Sequence, residues 1–161
     1  MQKGKMVTFK LKNRSDLISG IILDDRNGWV LIQRCFDYRI DGYSIIRTDL
    51  ISDQFFENKE RLTTKIIKKK YGTTKRAVPI KLTVLEEMLM NIQQKYHLLQ
   101  LDNKKGDAFD VVKYLGSEEL VYMFRELTIN AKWRFKLKLP AKEITVVSFG
   151  NDYLDSLLLI L

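Results

Sequence analysis

The sequence predicts a mainly β protein with helices (α+β), built from two small, strongly bent barrels joined by a helical, basic connector. Three observations support this prediction. Short strand patterns fill the first part of the chain, a lysine-rich stretch with helical periodicity follows, and strand patterns then return. We therefore expect three units, at 1–55, 56–97 and 98–161.

The first unit contains five short strand patterns separated by tight turns. In MVTFKLKN, the apolar Val7, Phe9 and Leu11 alternate with polar residues, which is typical of a half-buried strand. LISGIILDD, WVLIQRC, YSIIR and DLIS follow, and DRNG is a strong turn signal between the first two of these. Short strands in such close succession indicate a small, strongly bent barrel.

Two helices are predicted in the middle of the chain. ENKERLTTKIIKKKYG places its apolar residues near one helical face, and Gly72 is well positioned to end that helix. TVLEEMLMNIQQKYH begins near Thr83, whose spacing to Glu86 is that of a capping box. Its apolar stripe predicts an amphipathic helix.

The third unit repeats the order of patterns found in the first. LLQLD, AFDVVKYLG, ELVYMFREL, WRFKLKL and EITVVSFG each predict a strand, and GSEE stands where DDRNG stands in the first unit. This order predicts an internal repeat, with one larger mixed sheet as the alternative. The ending YLDSLLLIL predicts either a last strand or a short helix.

The segment KMVTFKLKNRSDLISGIILDDRNGWVLIQ, followed by YSIIRTDLIS, resembles the Sm-like fold, a five-stranded barrel formed from two sequence blocks. The resemblance covers the first unit. It implies RNA binding, usually by rings of subunits, through a loop Asp and Asn in the first block and an Arg-Gly pair in the second. It points to Asp24 or Asp25, Asn27 and Arg47 as site residues, with Thr48 standing where the family has glycine.

The net charge of +8 is concentrated in the middle of the chain. Residues 56–82 hold 9 Lys and Arg against 2 Asp and Glu. Such a cluster attracts phosphates through counterion release, and a solvated helix face is the alternative interpretation. From this segment, the candidate nucleic-acid contacts are Lys68, Lys69, Lys70, Lys75 and Arg76.

Aromatic and basic residues also flank the turn in DYRIDG. Phe36, Tyr38 and Tyr43 stand close to Arg39, a mixture that can stack unpaired bases. For the first and last of these rings, packing in the core is the alternative. Tyr38 and Arg39 therefore join the candidate site, together with Arg47 from the second block.

We expect no catalytic, metal or cofactor site. Asp37, Asp41 and Asp49 match no known metal-binding loop and are read as turn residues. Cys35 and His97 are the only cysteine and histidine, and no sequence context joins them in a nucleophilic site. The glycines are scattered singly, so no glycine-rich phosphate loop is present.

The apolar pattern predicts neither a signal peptide nor a membrane span. MQKGKMVTFKLKN has no apolar run behind its lysines, and LLLIL is far shorter than the roughly 20 residues that a span requires. We expect a cytoplasmic, non-enzymatic binding protein whose partner is RNA or another polyanion. The alternative is a protein–protein adaptor or an oligomeric scaffold, whose partner is another protein or a second copy of the chain.

Overall fold

A computed structural model of the chain describes residues 1–12, 14–72, 77–103 and 109–161. The first five strands are β1 (Met6–Leu11), β2 (Leu17–Arg26), β3 (Trp29–Phe36), β4 (Arg39–Arg47) and β5 (Ile51–Phe55). Helices α1 (Asn58–Tyr71) and α2 (Leu85–Tyr96) follow. The remaining elements are β6 (Leu99–Asn103), β7 (Phe109–Glu118), β8 (Val121–Leu127), β9 (Trp133–Pro140), β10 (Ile144–Phe149) and α3 (Asp152–Leu158). The strand and helix patterns are thus confirmed as elements, and the chain ends in a helix.

The ten strands of the described residues belong to one antiparallel sheet, in the order β5-β1-β2-β3-β4-β10-β6-β7-β8-β9. The predicted pair of separate barrels is therefore wrong. Within the described residues, no strand pairing closes either half of the sheet on itself, and β4 pairs directly with β10. The alternative of one larger sheet is closer to the structure, although every pairing is antiparallel rather than mixed.

The pairing of β4 with β10 explains why separate barrels do not form. The two strands are in register from Val146 opposite Ile46 to Phe149 opposite Tyr43. Every residue of ITVVSF in β10 is buried, as expected for a strand with neighbours on both edges and covered faces. Because β10 pairs with β4, the edge of β4 is already occupied and cannot pair with a strand of its own half to close a barrel.

The hydrophobic core also crosses the junction. Its largest cluster includes Leu31 and Ile45 from the first half, Leu89 from α2, and Phe124 from the second half. Helix α1 packs against β1, and α2 packs against β6 and β7. The helices therefore cover the sheet and do not connect two separate barrels. The unit boundaries at 1–55, 56–97 and 98–161 remain predictions.

The two halves of the sheet share irregularities as well as strand order. In each half a bulge interrupts the pairing of the second strand with the third, at Ile22/Asp24 and at Tyr114/Gly116. A second bulge interrupts the pairing of the third strand with the fourth, and a third bulge interrupts the pairing of the first with the fifth. The second bulge lies at Gln33/Cys35 in the first half and at Arg125/Leu127 in the second half. The third bulge lies at Lys10/Leu11 in the first half and at Ile144/Val146 in the second half. The internal repeat stays a prediction. A true repeat would have to account for bulges at equivalent positions in the two halves.

The start of α2 differs from the sequence prediction. The helix begins at Leu85 with Val84 as its N-cap residue and has no side-chain cap. The hydroxyl of Thr83 is buried without a hydrogen-bond partner in the described part of the chain, so the predicted capping box does not form. A capping box forms instead at α1, where Glu57 and Glu60 exchange hydrogen bonds with each other's backbone.

Among the described residues, no helix has both the length and the apolar character needed to cross a bilayer.

A buried ion pair connects the two halves of the sheet. Arg14, which lies between β1 and β2, donates to Asp102 on β6, and both side chains are almost fully buried. Arg14 also binds Asp16. Burial raises the pKa of Asp102, although the charge of Arg14 acts in the opposite direction.

Replacing Arg14 with Ala should lower the free energy of unfolding at neutral pH by up to about 3–5 kcal/mol, because the buried Asp102 would lose its ion pair and keep only the nearby charge of Arg34. The loss should shrink as the pH falls, since a carboxyl group whose folded pKa is raised becomes neutral more readily in the folded state. Urea unfolding at neutral and acidic pH measures both effects. The exposed Lys81→Ala variant is the control, and an equal loss at both pH values would contradict this account.

Candidate nucleic-acid interface

Three of the predicted basic contacts lie at the end of α1. Lys68, Lys69 and Lys70 are exposed in its last turn, where cations stabilise the negative end of the helix dipole. Gly72 ends the helix with φ 79°, a conformation that favours glycine. Lys75 and Arg76 lie outside the described residues.

The hairpin between β3 and β4 exposes two aromatic rings. Its turn consists of Asp37 and Tyr38, which have φ values of 42° and 63°, between the paired residues Phe36 and Arg39. Left-handed backbone at two successive non-glycine residues is unfavourable and is often found at functional sites. The turn leaves Phe36 51% and Tyr38 41% exposed. These two rings are therefore available to a ligand.

A hydrogen bond brings the helix end and the hairpin together. The Nζ atom of Lys70 donates to the backbone carbonyl of Tyr38 at 3.0 Å, and the same ammonium group lies 5.3 Å from the ring centre of the exposed Tyr71. The guanidinium of Arg34 lies 4.7 Å from the ring centre of Phe36. We call Phe36, Tyr38, Lys70 and Tyr71 the aromatic–basic surface.

Burial lowers the pKa of Arg34 to about 10, and the nearby charge of Arg14 acts in the same direction. The guanidinium therefore remains positively charged at neutral pH. It donates to Ser44 at 3.3 Å, and Ser44 shares a 2.8 Å hydrogen bond with Ser148 at the junction of the two halves. Hydrogen bonds therefore connect the Arg34 guanidinium, which contacts the ring of Phe36, to the junction of β4 with β10.

A cavity of about 270 Å³ adjoins the aromatic–basic surface between α1 and the sheet. Its lining includes Phe36, Tyr38, Lys59 and Glu60. Burial acts to raise the pKa of Glu60, but hydrogen bonds from the hydroxyl of Thr8 and from backbone N–H groups outweigh it and lower that pKa. The cavity therefore places charged groups of both signs beside the exposed rings.

The two predicted arginines of β4 lie at opposite ends of that strand. Arg39 is exposed and directly follows Tyr38 at the aromatic–basic surface. Arg47 is half-buried, binds the carboxylate of Asp49 and donates to the carbonyl of Lys142 at 3.1 Å. The structure therefore brings together Tyr38, Arg39 and Lys70, but not Arg47.

The loop residues indicated by the family resemblance are held by contacts within the chain. Asp24 forms ion pairs with Lys3 and Arg26, and Asp25 binds the N-terminal amine. The side-chain amide of Asn27 donates to the carbonyl of Leu82 at 2.9 Å. These contacts stabilise the turn between β2 and β3 and the segment before α2.

The carboxylates considered for chemistry occupy separate structural roles. Asp37 lies in the β3–β4 turn, and Asp41 accepts a hydrogen bond from the backbone N–H of Asp152 at 2.8 Å. Asp49 binds Arg47. In the described part of the chain, no group of three or more His, Cys, Asp or Glu side chains could hold a metal ion.

One cationic feature was missed by the sequence analysis. Lys113 on β7 lies directly opposite Arg125 on β8, which in turn lies opposite Lys136 on β9. None of the three forms an ion pair with a described residue, although Lys113 lies 4.5 Å from the ring centre of Trp133. We call Lys113, Arg125 and Lys136 the cation row. The sequence predicts WRFKLKL as a strand, but only the register between the strands shows that the three cations are adjacent.

Comparison of the chain with protein-family models, with curated proteins and with solved structures found no match.

Replacing Arg125 with Glu should raise the free energy of unfolding by roughly 0.5–2 kcal/mol at low salt, because two like-charged cross-strand pairs become oppositely charged pairs. The gain should shrink at high salt, since exposed charges are screened. Thermal and urea unfolding at two salt concentrations measure the change. Lys142→Glu makes the same charge change at an exposed site outside the cation row. An equal gain in the free energy of unfolding in both variants would show that stability depends on the net charge of the protein and not on the cation row.

Proposed function

We propose that the chain is a cytoplasmic, non-enzymatic protein that binds single-stranded RNA through the aromatic–basic surface. The observation that carries this proposal is the hydrogen bond from Lys70 to the carbonyl of Tyr38. It fixes the cationic end of α1 beside two exposed rings of the hairpin. Cations that contact phosphates beside rings that stack bases are the combination found in proteins that bind unpaired strands.

The distribution of charge supports the same proposal. The segment 56–82, which contains α1, holds 9 basic and 2 acidic residues. One of those acids, Glu60, is buried and accepts hydrogen bonds from Thr8 and from the backbone of Glu57. Glu60 is therefore held by hydrogen bonds in the first turn of the helix, whereas the exposed lysines of the last turn face solvent beside the hairpin.

The proposal predicts that replacing Lys68, Lys69 and Lys70 with Ser weakens binding to single-stranded RNA of any sequence. The slope of log affinity against log salt should fall in magnitude by up to about 2, since each lost phosphate contact removes about 0.7 for a single strand. Fluorescence anisotropy with a mixed-sequence RNA measures the slope. The matched control replaces the exposed Lys81, Lys132 and Lys142, which gives the same net charge.

The same titration separates stacking from charge. Tyr38→Ala should weaken binding by about 1–3 kcal/mol if a base stacks on this ring, whereas Tyr38→Phe keeps the stacking face and should bind like the natural protein. If the two lysine variants lose affinity equally and Tyr38→Ala has no effect, the aromatic–basic surface is not the binding site. Absence of binding at low salt would overturn the whole proposal.

A second candidate function, an oligomeric scaffold or protein–protein adaptor, is favoured by a different observation. Strands β5 and β9 lie at the two ends of the sheet, and each pairs with only one other strand among the described residues. An unpaired strand edge can accept a further strand from another chain.

A further inference from the structure

Buried polar groups and exposed aromatic rings together line the cavity between α1 and the sheet. Thr8, Glu60 and Thr63 are each more than nine-tenths buried, whereas Phe36 and Tyr38 are exposed. The volume of about 270 Å³ lies close to the lower end of the roughly 300–1,000 Å³ that is typical of small-molecule pockets. The cavity therefore has the size for one small ring system rather than for a large ligand.

Glu60 is a carboxylate that no described cation holds in an ion pair. Hydrogen bonds that outweigh the effect of burial keep its pKa below the ordinary value, so it is ionised at neutral pH. One of its oxygens accepts from the hydroxyl of Thr8 at 2.7 Å, and the other accepts from the backbone N–H of Glu57 at 3.0 Å. An ionised carboxylate has about four acceptor positions, so each oxygen keeps one for a ligand. Two such parallel acceptors suit a ligand with two adjacent N–H groups.

The mouth of the cavity is surrounded by cations. Lys59 lines the cavity and is exposed, Lys70 donates to the carbonyl of Tyr38, and the exposed Arg39 follows that residue. The exposed Asp37 also lines the cavity, but these three cations outweigh its charge. They disfavour a positively charged ligand and favour one that carries negative charge outside the cavity and N–H donors inside it. A nucleotide meets both conditions, with its phosphate beside the cations and its base in the cavity.

The donor pattern of the bases decides which of them fits a carboxylate best. Guanine presents two adjacent donors, N1–H and N2–H, on its Watson–Crick edge, which is exposed in a single strand. Adenine and cytosine present an amino group beside an acceptor, and uracil presents one N–H between two carbonyls. Thr63 follows Glu60 on the same face of α1 and adds a hydroxyl donor to the cavity, which suits the carbonyl O6 that guanine carries beside N1. The polar lining of the cavity therefore matches guanine.

We propose that the cavity binds one guanine base of single-stranded RNA, with the N1–H and N2–H groups donating to the carboxylate of Glu60. This inference rests on the proposed function and adds base specificity to it. The phosphate of the same nucleotide lies towards the cations at the mouth, and the exposed rings of Phe36 and Tyr38 provide stacking faces where the strand enters.

The natural protein tests this specificity without any substitution. Fluorescence anisotropy compares a uridine oligonucleotide that carries one central guanine with oligonucleotides that carry adenine or inosine at the same position. The guanine oligonucleotide should bind about 5–150-fold more tightly than the adenine oligonucleotide, which is the range for a bidentate contact. Inosine keeps N1–H but lacks the amino group at N2, so its affinity should fall between the two.

Equal affinity for the three oligonucleotides, or a preference for adenine, would overturn this inference and leave the proposed function standing. No binding of any of them at low salt would overturn the proposed function as well. Release of the labelled guanine oligonucleotide by GMP as readily as by the unlabelled oligonucleotide would assign the cavity to a free nucleotide and would also overturn the proposal.

Glu60→Gln tests the residue that reads the base. It replaces one carboxylate oxygen by an amide NH₂ group, and an amide donor beside an acceptor matches adenine. The preference should therefore shift from guanine towards adenine, an inversion that partial unfolding does not produce. Asp37→Asn is the matched control, because it makes the same exchange at an exposed carboxylate of the same cavity and because asparagine tolerates left-handed backbone. Loss of the guanine preference in Asp37→Asn but not in Glu60→Gln would overturn the role of Glu60.

Discussion

The antiparallel pairing of β4 with β10 is the interaction on which the rest of the structure depends. Alternate residues of β10 enter two different hydrophobic clusters, with Val147 and Phe149 in the largest one and Val146 in a second. All three are completely buried. Burying a large aliphatic or aromatic side chain contributes about 1.5–3 kcal/mol, so detaching this one strand would open both clusters and expose the edge of β4. The sheet is continuous because its last strand is shared.

The candidate binding surface depends on the same sheet through a short series of contacts. The hydroxyl of Thr8 on β1 donates to Glu60, which belongs to the capping box of α1, and Ile67 of that helix enters the largest core cluster. These contacts fix the helix, so its last turn reaches the hairpin and Lys70 binds the carbonyl of Tyr38. The exposed rings are therefore presented by a strained turn held between a packed helix and the central strands.

Local patterns in the sequence predicted the elements well, because alternation and helical periodicity depend only on neighbouring residues. They could not predict which strand edges pair, and ITVVSF was assigned to a second barrel although one of its two edges pairs with β4 of the first half. The cation row was missed for the same reason, since Lys113 and Lys136 are adjacent only through Arg125. Of the candidate site, Tyr38, Arg39 and Lys70 are brought together. Arg47 is held in an ion pair by Asp49, which the sequence analysis had interpreted only as a turn residue.

Native-state hydrogen exchange is the most direct test of the central claim, that the chain forms one continuous sheet through β4 and β10. The decisive amides are those of Tyr43–Ile46 and Val146–Phe149 that point across the junction. If the sheet is continuous, they should exchange only through global unfolding, with the same free energy as the central amides of β2 and β3. If these amides exchange rapidly while both halves keep their protection, the halves are separate bodies and the account is contradicted.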